Sequence, residues 1–460
     1  MKIRFLGAAR TVTGACFHIL VNELQILIDC GMHQGENADA INKTPFSFDP
    51  AKINYLLLTH AHIDHSGLIP KLVKDGFNGK IAATPGTTDL TEVMLYDSAH
   101  IQEKDAEWLA KKALRAGRHS FPEPLYTVED VRNAIPFFER IPYGRIEHLG
   151  QGVKFRFVDA GHILGSGTLE LWYQDSPVEK KIAFSGDIGK KGNPIINDPQ
   201  KVDTADYIVM ESTYGNRLHK NMEDTIDELV EAIKVTFKKG GNVLIPAFSV
   251  GRTQDILYAL NKLVREGRLH NLDVYVDSPL AEDATKVYLA HPECFDEEAM
   301  RMFKERAGNA IKLHFTTKIE DSQKINLKKS GAIIIAGSGM CDSGRIRHHF
   351  KHNLWRSECS VIFTGYQAKG TLGRRIIDGA KTVYVLGEEL AVKARIYTIG
   401  GFSAHADQNE LLEWLSALSN KPEVFIVHGE ENASLEFERV VREKFNFITH
   451  VPQKGEEFQI

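Results

Sequence analysis

Short apolar runs broken by glycine and polar residues fill the first part of the chain. Segments 2–6, 16–21 and 25–29 have the length and texture of strands, and the stretch Ile53-Asn54-Tyr55-Leu56-Leu57-Leu58-Thr59 reads as a buried one. Longer helical patterns follow over 87–116 and 127–138, and strands return at 154–159, 168–172, 181–185 and 207–211. This order predicts a sandwich of two β-rich halves with helices outside. From about Ser212 the texture changes. Helical patterns at 222–238, 252–265 and 279–290 alternate with apolar strands at 243–246, 274–277, 332–336 and 360–364. Such alternation implies a parallel, doubly wound sheet with helices on both faces. A helix is also predicted over 407–418. No repeat, low-complexity tract or flexible linker interrupts the pattern.

A chain of 460 residues is long enough for two or three domain-sized cores. With 43% hydrophobic and 25% charged residues it has an ordinary globular composition. No apolar run approaches the roughly 20 residues of a bilayer span. The N-terminus, Met1-Lys2-Ile3-Arg4-Phe5-Leu6-Gly7, reads as a first strand rather than a signal peptide, so a cytoplasmic location is expected. Cys16, Cys30, Cys294, Cys341 and Cys359 are scattered, odd in number and without CxxC spacing, which points to reduced thiols. The net charge of −5 argues against a protein that coats nucleic acid non-specifically. It does not argue against a nuclease, in which metal ions supply positive charge locally.

The most informative segment follows the strand at 53–59: His60-Ala61-His62-Ile63-Asp64-His65. Four metal-competent side chains leave one strand end within six residues, and neutral imidazoles with carboxylates suit borderline divalent ions such as zinc. Three other probable strand ends carry further candidates: Asp159-Ala160-Gly161-His162, Phe184-Ser185-Gly186-Asp187 and Val427-His428-Gly429. Each alone reads as an ordinary turn. Together they bring the candidate ligands to seven, enough for two ions that share a bridging carboxylate.

The order His-x-His-x-Asp-His, Gly-His, Ser-Gly-Asp resembles the metallo-β-lactamase superfamily. Asp29, in Leu27-Ile28-Asp29-Cys30-Gly31, resembles its early strand-end aspartate, which supports the site from behind the ligands. Glu211-Ser212-Thr213-Tyr214-Gly215, Phe402-Ser403-Ala404-His405-Ala406-Asp407 and His428 resemble motifs A, B and C of the β-CASP branch, whose members cleave nucleic acids. The likeness runs over the whole chain and includes the stretch from Gly365 to Gly373. It is nearest to bacterial and archaeal ribonucleases related to the endonuclease subunit of the cleavage and polyadenylation specificity factor.

The fold this resemblance implies is α/β: a metallo-β-lactamase αββα sandwich, residues 1–211 and 397–460, into which a doubly wound parallel-sheet β-CASP domain, 212–396, is inserted. Two zinc ions per chain are implied, one held by His60, His62 and His162, the other by Asp64, His65 and His428, with Asp187 bridging. Asp29 and Glu211 would orient ligands, and His405 would donate a proton to the leaving oxygen with Glu211 holding or charging it. A structural histidine or a phosphate anchor are the other readings of His405.

The implied function is a zinc-dependent ribonuclease, acting endonucleolytically, 5′ to 3′ exonucleolytically or both, with RNA as partner, no membrane association, and a homodimer left open. Histidine at motif C resembles the RNA-directed members. A DNA nuclease of the same superfamily and a non-catalytic RNA-processing scaffold are the competing readings. Candidate contacts to the RNA backbone are Ser338 and Gly339 in a glycine-rich strand-to-helix turn, Arg345, Lys369 and Ser403. Ser249-Val250-Gly251-Arg252 has a similar turn character. The Trp and Phe residues show no solvent-facing stacking pattern and read mostly as core.

Overall fold

The computed structural model describes every residue except 36, 116, 118–122, 176, 220, 305–309, 366, 368 and 369. The chain divides into two compact units. The first comprises Met1–Lys191, Asn197–Leu218 and His405–Ile460, the second Gly192–Ile196 and His219–Ala404.

Strands of the first unit, in chain order, are β1 (Lys2–Phe5), β2 (Phe17–Val21), β3 (Leu24–Ile28), β4 (Tyr55–Leu57), β5 (Lys80–Ala83), β6 (Phe138–Arg140), β7 (Glu147–Gly150), β8 (Val153–Asp159), β9 (Gly167–Asp175), β10 (Val178–Phe184) and β11 (Tyr207–Glu211). The second unit holds β12 (Val243–Pro246), β13 (Asp273–Val276), β14 (Lys312–Phe315), β15 (Ala332–Ala336), β16 (Ser360–Phe363), β17 (Thr382–Val385), β18 (Glu388–Ala391) and β19 (Arg395–Thr398). The chain returns to the first unit with β20 (Glu423–Val427), β21 (Ile448–His450) and β22 (Glu457–Gln459).

Two seven-stranded sheets form the first unit, in the orders β22-β1-β2-β3-β4-β5-β6 and β21-β20-β11-β10-β9-β8-β7. Strand periodicity explains how they pack. In β1 the buried residues are Ile3 and Phe5, and in β8 Val153, Phe155 and Phe157 point the same way. These faces meet in one core with Phe17, Ile26, Ile28, Leu169, Leu171, Ile182 and Phe184. Helices Ile69–Lys74, Pro85–Arg115 and Val128–Ala134 cover the outer face of the first sheet, burying Leu72, Leu95 and Val131. Helices Gln408–Leu415 and Glu431–Phe445 cover the outer face of the second through Leu411, Trp414, Phe437 and Val441. The result is the expected αββα sandwich.

The second unit is built on a six-stranded sheet of order β14-β13-β15-β12-β16-β19, every pair parallel. Helices Met222–Lys238 and Arg252–Arg265 pack on one face with Val243, Ile245, Val274 and Ile333. Helices Ile346–Asn353 and Leu372–Ile377 pack on the other with Leu244, Val361 and Phe363. This is the doubly wound arrangement that strand and helix alternation predicts. Among the described residues no helix is long and apolar enough to cross a membrane.

Two predicted helices are shorter than their patterns: 407–418 forms Gln408–Leu415, and the other shortens at a proline. The segment read as 127–138 forms helix Val128–Ala134, closed at its start by a reciprocal Thr127–Asp130 capping box. Pro136 then lies in the single 3-10 turn Ile135–Phe137, and the chain continues as β6, paired with β5. Proline has no N–H to extend the α-helical ladder, so the apolar residues after it serve a sheet edge instead.

Candidate metal centre

Strand direction brings the site together. β3 and β4 are parallel, as are β10, β11 and β20, and β8 runs with β10 because both are antiparallel to β9. Asp29, His60, His162, Asp187, Glu211 and His428 all lie at or just beyond the carboxyl ends of these strands. Two of the turns are conformationally demanding: Asp29 and His428 sit at positive φ, 59° and 48°, immediately after β3 and β20. Left-handed backbone at non-glycine residues is uncommon and concentrates at functional turns. At Gly161 (φ +63°) a side chain would meet the Asn197 carbonyl at 2.7 Å, so only glycine brings His162 into place.

The His60–His65 segment changes conformation partway. His60 follows the end of β4 by three residues, His62 stands at the N-cap position of a single helical turn, Ile63–Ser66, and that turn carries Asp64 and His65. The ring nitrogens converge. His60 Nε2 lies 3.1 Å from His62 Nδ1, and His162 Nε2 lies 3.2 Å from the same atom. Asp187 Oδ2 completes this group at 3.4 Å from His60 Nε2 and 3.5 Å from His162 Nε2. On the other side, His65 Nε2 is 3.1 Å from His428 Nε2, Asp64 Oδ2 is 3.6 Å from His428 Nε2, and Asp187 Oδ1 is 3.4 Å from His65 Nε2.

Donors about 2.0–2.2 Å from a tetrahedral zinc stand about 3.3–3.6 Å from one another; the carboxylate-to-imidazole separations of 3.4–3.6 Å fall in that range, and the imidazole pairs at 3.1–3.2 Å lie just inside it. Asp187 Oδ1 is buried with no hydrogen-bond partner, an arrangement that costs free energy unless a cation or donor meets it. Two groups, His60/His62/His162/Asp187 and Asp64/His65/His428, each gather ligand atoms within 4.8 Å, so the centre has the capacity for one or two ions.

Surrounding groups set the tautomers. Asp29 accepts from the Thr59 backbone N–H at 2.8 Å and the Thr59 hydroxyl at 2.9 Å, and lies 2.7 Å from His65 Nδ1. That places the His65 proton on Nδ1 and leaves Nε2 for a ligand. Thr59 Oγ1 does the same for His60 Nδ1 at 3.1 Å, and Thr213 Oγ1 for His428 Nδ1 at 3.1 Å. Thr213 lies within the segment that resembles motif A and Thr59 ends the strand before the histidine cluster, but the sequence marks neither as the partner of a ligand.

Burial drives the basicity of His62 down to about 3, helped by neighbouring His60, and likewise lowers His60 and His162. Neutral imidazoles with available lone pairs are what metal coordination needs. Burial also disfavours a charged His405, but the Glu211 and Asp187 carboxylates outweigh it and hold its pKa up to about 9. His405 Nδ1 is 3.3 Å from Glu211 Oε1 and 3.9 Å from Asp187 Oδ2, and its ring centre is 4.5 Å from that of His162. Glu211 Oε1 also accepts from the Ile188 N–H at 2.6 Å, which fixes the carboxylate.

Three profiles cover the chain: the metallo-beta-lactamase superfamily at residues 13–231, the Beta-Casp domain at 253–376 and the Zn-dependent metallo-hydrolase RNA specificity domain at 389–452. The chain is 36% identical over 437 residues to Ribonuclease TTHA0252 of Thermus thermophilus, covering 95% of this chain and 94% of that one. The chain belongs to the β-CASP branch of the metallo-β-lactamase superfamily. It is 30% identical to the transcription termination factor FttA of Methanosarcina mazei, over 98% of this chain and 70% of the factor. It is 29% identical to an RNase J-like protein of Methanocaldococcus jannaschii, over 98% of both chains. A solved structure of a protein of unknown function from Enterococcus faecalis shares the fold, with a TM-score of 0.57 at 11% identity over 99% of each chain.

The candidate nucleic-acid contacts of this β-CASP protein lie in the second unit. Ser338 and Gly339 occupy the turn after β15, as their spacing implied. Arg345 is turned inward: its guanidinium donates to buried Asp277 Oδ1 at 2.7 Å and to the Thr316 and Thr317 carbonyls at 2.8 and 2.7 Å. Asp277 also accepts from Thr316 and Ser322 and lies 2.8 Å from His349 Nε2, so Arg345 belongs to a closed polar network. Ser403 is buried at the end of the turn Gly400–Phe402. Lys369 lies outside the described residues.

Proposed function

We propose that this protein is a ribonuclease that hydrolyses RNA phosphodiester bonds with two zinc ions. The observation that carries this reading is the position of Asp187, with Oδ2 against the His60/His162 nitrogens and Oδ1 against His65. His60, His62 and His162 would hold one ion, His62 through Nδ1 and the other two through Nε2. Asp64, His65 and His428 would hold the second. When bound, the two ions supply a nucleophilic water at neutral pH and positive charge for the phosphate oxygens.

The chain's own groups complete the chemistry. His405, paired with Glu211, donates its proton to the leaving oxygen. Glu211 orients that imidazole and is itself held by the Ile188 N–H. Asp29 keeps the His65 proton on Nδ1, Thr59 does so for His60, and Thr213 Oγ1 faces His428 Nδ1, a nitrogen that also lies 3.4 Å from Asp187 Oδ1. RNA is favoured over DNA by histidine at position 428 and by the ribonuclease names of relatives that match nearly end to end.

The test is cleavage of RNA and DNA strands of one sequence by zinc-loaded protein, with products mapped on substrates bearing 5′-hydroxyl, monophosphate and triphosphate ends. RNA hydrolysis that stops on chelation is expected. Preference for DNA, or no hydrolysis of either strand, overturns the proposal.

A further inference from the structure

The sheet of the second unit has a switch point between neighbouring strands β15 and β12. The helix after β12, Arg252–Arg265, leads to β13 on the far side of β15. The helix after β15, Ile346–Asn353, leads to β16 on the far side of β12. The two helices pack on opposite faces: Ile256, Leu260 and Leu263 join Val243 and Ile245, whereas Ile346, Phe350 and Leu354 join Leu244 and Val361. Loops that leave adjacent parallel strands for opposite faces open a crevice at the strands' carboxyl ends, where open α/β sheets take their ligands.

Phe248 stands in the loop on the β12 side. Its neighbours Ala247 and Val250 are buried, yet Phe248 is 50% exposed. The backbone beneath it is fixed. Ala247 N–H donates to the Ala336 carbonyl at 3.2 Å, the Phe248 carbonyl accepts from Thr253 N–H at 3.3 Å and Thr253 Oγ1 at 2.7 Å, and Gln254 Nε2 donates to the Ser249 carbonyl at 3.1 Å. The ring rests on Gly339 of the opposite loop, where a Cβ would come within 2.9 Å of both Cδ2 and Cε2. Glycine at 339 thus lets the backbone tuck under one side of the ring and leaves the remainder to solvent.

Single exposed apolar side chains are ordinary on protein surfaces. This one differs in being rigid, aromatic, and set at a switch point beside a polar glycine turn. A flat apolar surface next to hydroxyl and backbone groups matches a nucleotide, whose base has a π face and whose backbone is polar and anionic. We propose that Phe248 is a stacking platform for one nucleobase of the RNA chain, with the Ser338–Gly339 turn beside that nucleotide's backbone. The proposal rests on the ribonuclease reading and adds a binding residue that no metal ligand or catalytic group supplies. Stacking accepts any base, so the contact gives affinity and register without sequence preference.

The experiment is steady-state cleavage by zinc-loaded wild type, Phe248→Ala and Phe248→Trp on a set of oligoribonucleotides, each with one abasic position. Loss of one stacked base is worth roughly 5- to 150-fold in affinity. Phe248→Ala is expected to raise KM within that range while kcat stays near wild type, and Phe248→Trp to restore KM. One abasic position should raise the wild-type KM and leave that of Phe248→Ala unchanged. A Phe248→Ala variant with wild-type KM, or one whose KM still rises as the wild type's does at that abasic position, overturns the stacking role while wild-type RNA cleavage stands. Absence of wild-type cleavage overturns the ribonuclease reading itself. Matching thermal melting of the three proteins separates a binding defect from unfolding.

Discussion

Replacing His405 by alanine tests the proton-transfer step where the structure is most specific. The side chain is 21% exposed and contacts Glu211 Oε1 at 3.3 Å. Its removal leaves Glu211 still bonded to the N–H groups of Ile188 at 2.6 Å and Thr213 at 3.3 Å, so the carboxylate is not orphaned and the fold is expected to survive. A positioned general acid contributes about 10²- to 10⁴-fold, which corresponds to about 3–5 kcal/mol of barrier. His405→Ala should therefore lower single-turnover RNA cleavage by that factor while metal content is unchanged. The assay pairs an ordinary substrate with one carrying a bridging sulfur at the leaving position, since a thiolate departs without a proton. The defect should shrink on the sulfur substrate. An equal defect on both refutes the acid role and leaves His405 a phosphate or structural contact.

Other substitutions probe separate parts of the account. Asp64→Ala and His65→Ala each remove a proposed metal ligand carried by the short turn Ile63–Ser66 rather than the sheet, so circular dichroism should stay near wild type while turnover falls below about a tenth; retained turnover would remove that residue from the ligand set. Thr213→Val keeps the shape but takes away the oxygen that faces His428 Nδ1, and metal affinity should fall about 10- to 100-fold in a chelator competition; unchanged affinity would mean that the hydroxyl does not fix the ring. Burial raises the Asp277 pKa, but hydrogen bonds from His349, Ser322, Thr316 and Arg345 outweigh it and hold the carboxyl at about 2, below its usual range. Its stabilising contribution is therefore full above about pH 4 and lost as pH falls toward 2. Asp277→Ala should destabilise the protein by about 3–5 kcal/mol in urea melts at neutral pH, because it strands the Arg345 charge, and should flatten the acid limb of the stability curve.

The candidate centre was legible because its residues are local signals at strand ends. His60, His62, Asp64 and His65 fall within six positions, and Gly161 and Gly186 announce the turns that carry His162 and Asp187. The pairings of Thr59 and Thr213 were illegible because a threonine acts here only through a partner, and His428 is far from Thr213 along the chain. Arg345 shows the same limit from the other side. In sequence it belongs to a basic stretch fit for a phosphate, whereas the carboxylate that claims it, Asp277, ends a different region of the sheet. Phe248 reads as core by composition, and its exposure has no sequence signal because Ala247 and Val250, in the same loop after β12, are buried. Period and order gave the β-rich sandwich and the doubly wound sheet, and the resemblance gave their nesting. The helix Glu431–Phe445 and the short strands β14 and β17 to β19 were not among the predicted elements, and β6 and β22, three residues each, pair along the edges of β5 and β1.

The central claim is that two ions act together around Asp187, and a zinc titration of chelated protein tests it most directly. Metal content and single-turnover RNA cleavage are measured at each step. Cleavage should appear only as the second equivalent binds and reach its plateau at two ions per chain. Full cleavage at one ion per chain, or cleavage that persists with none, would contradict the account.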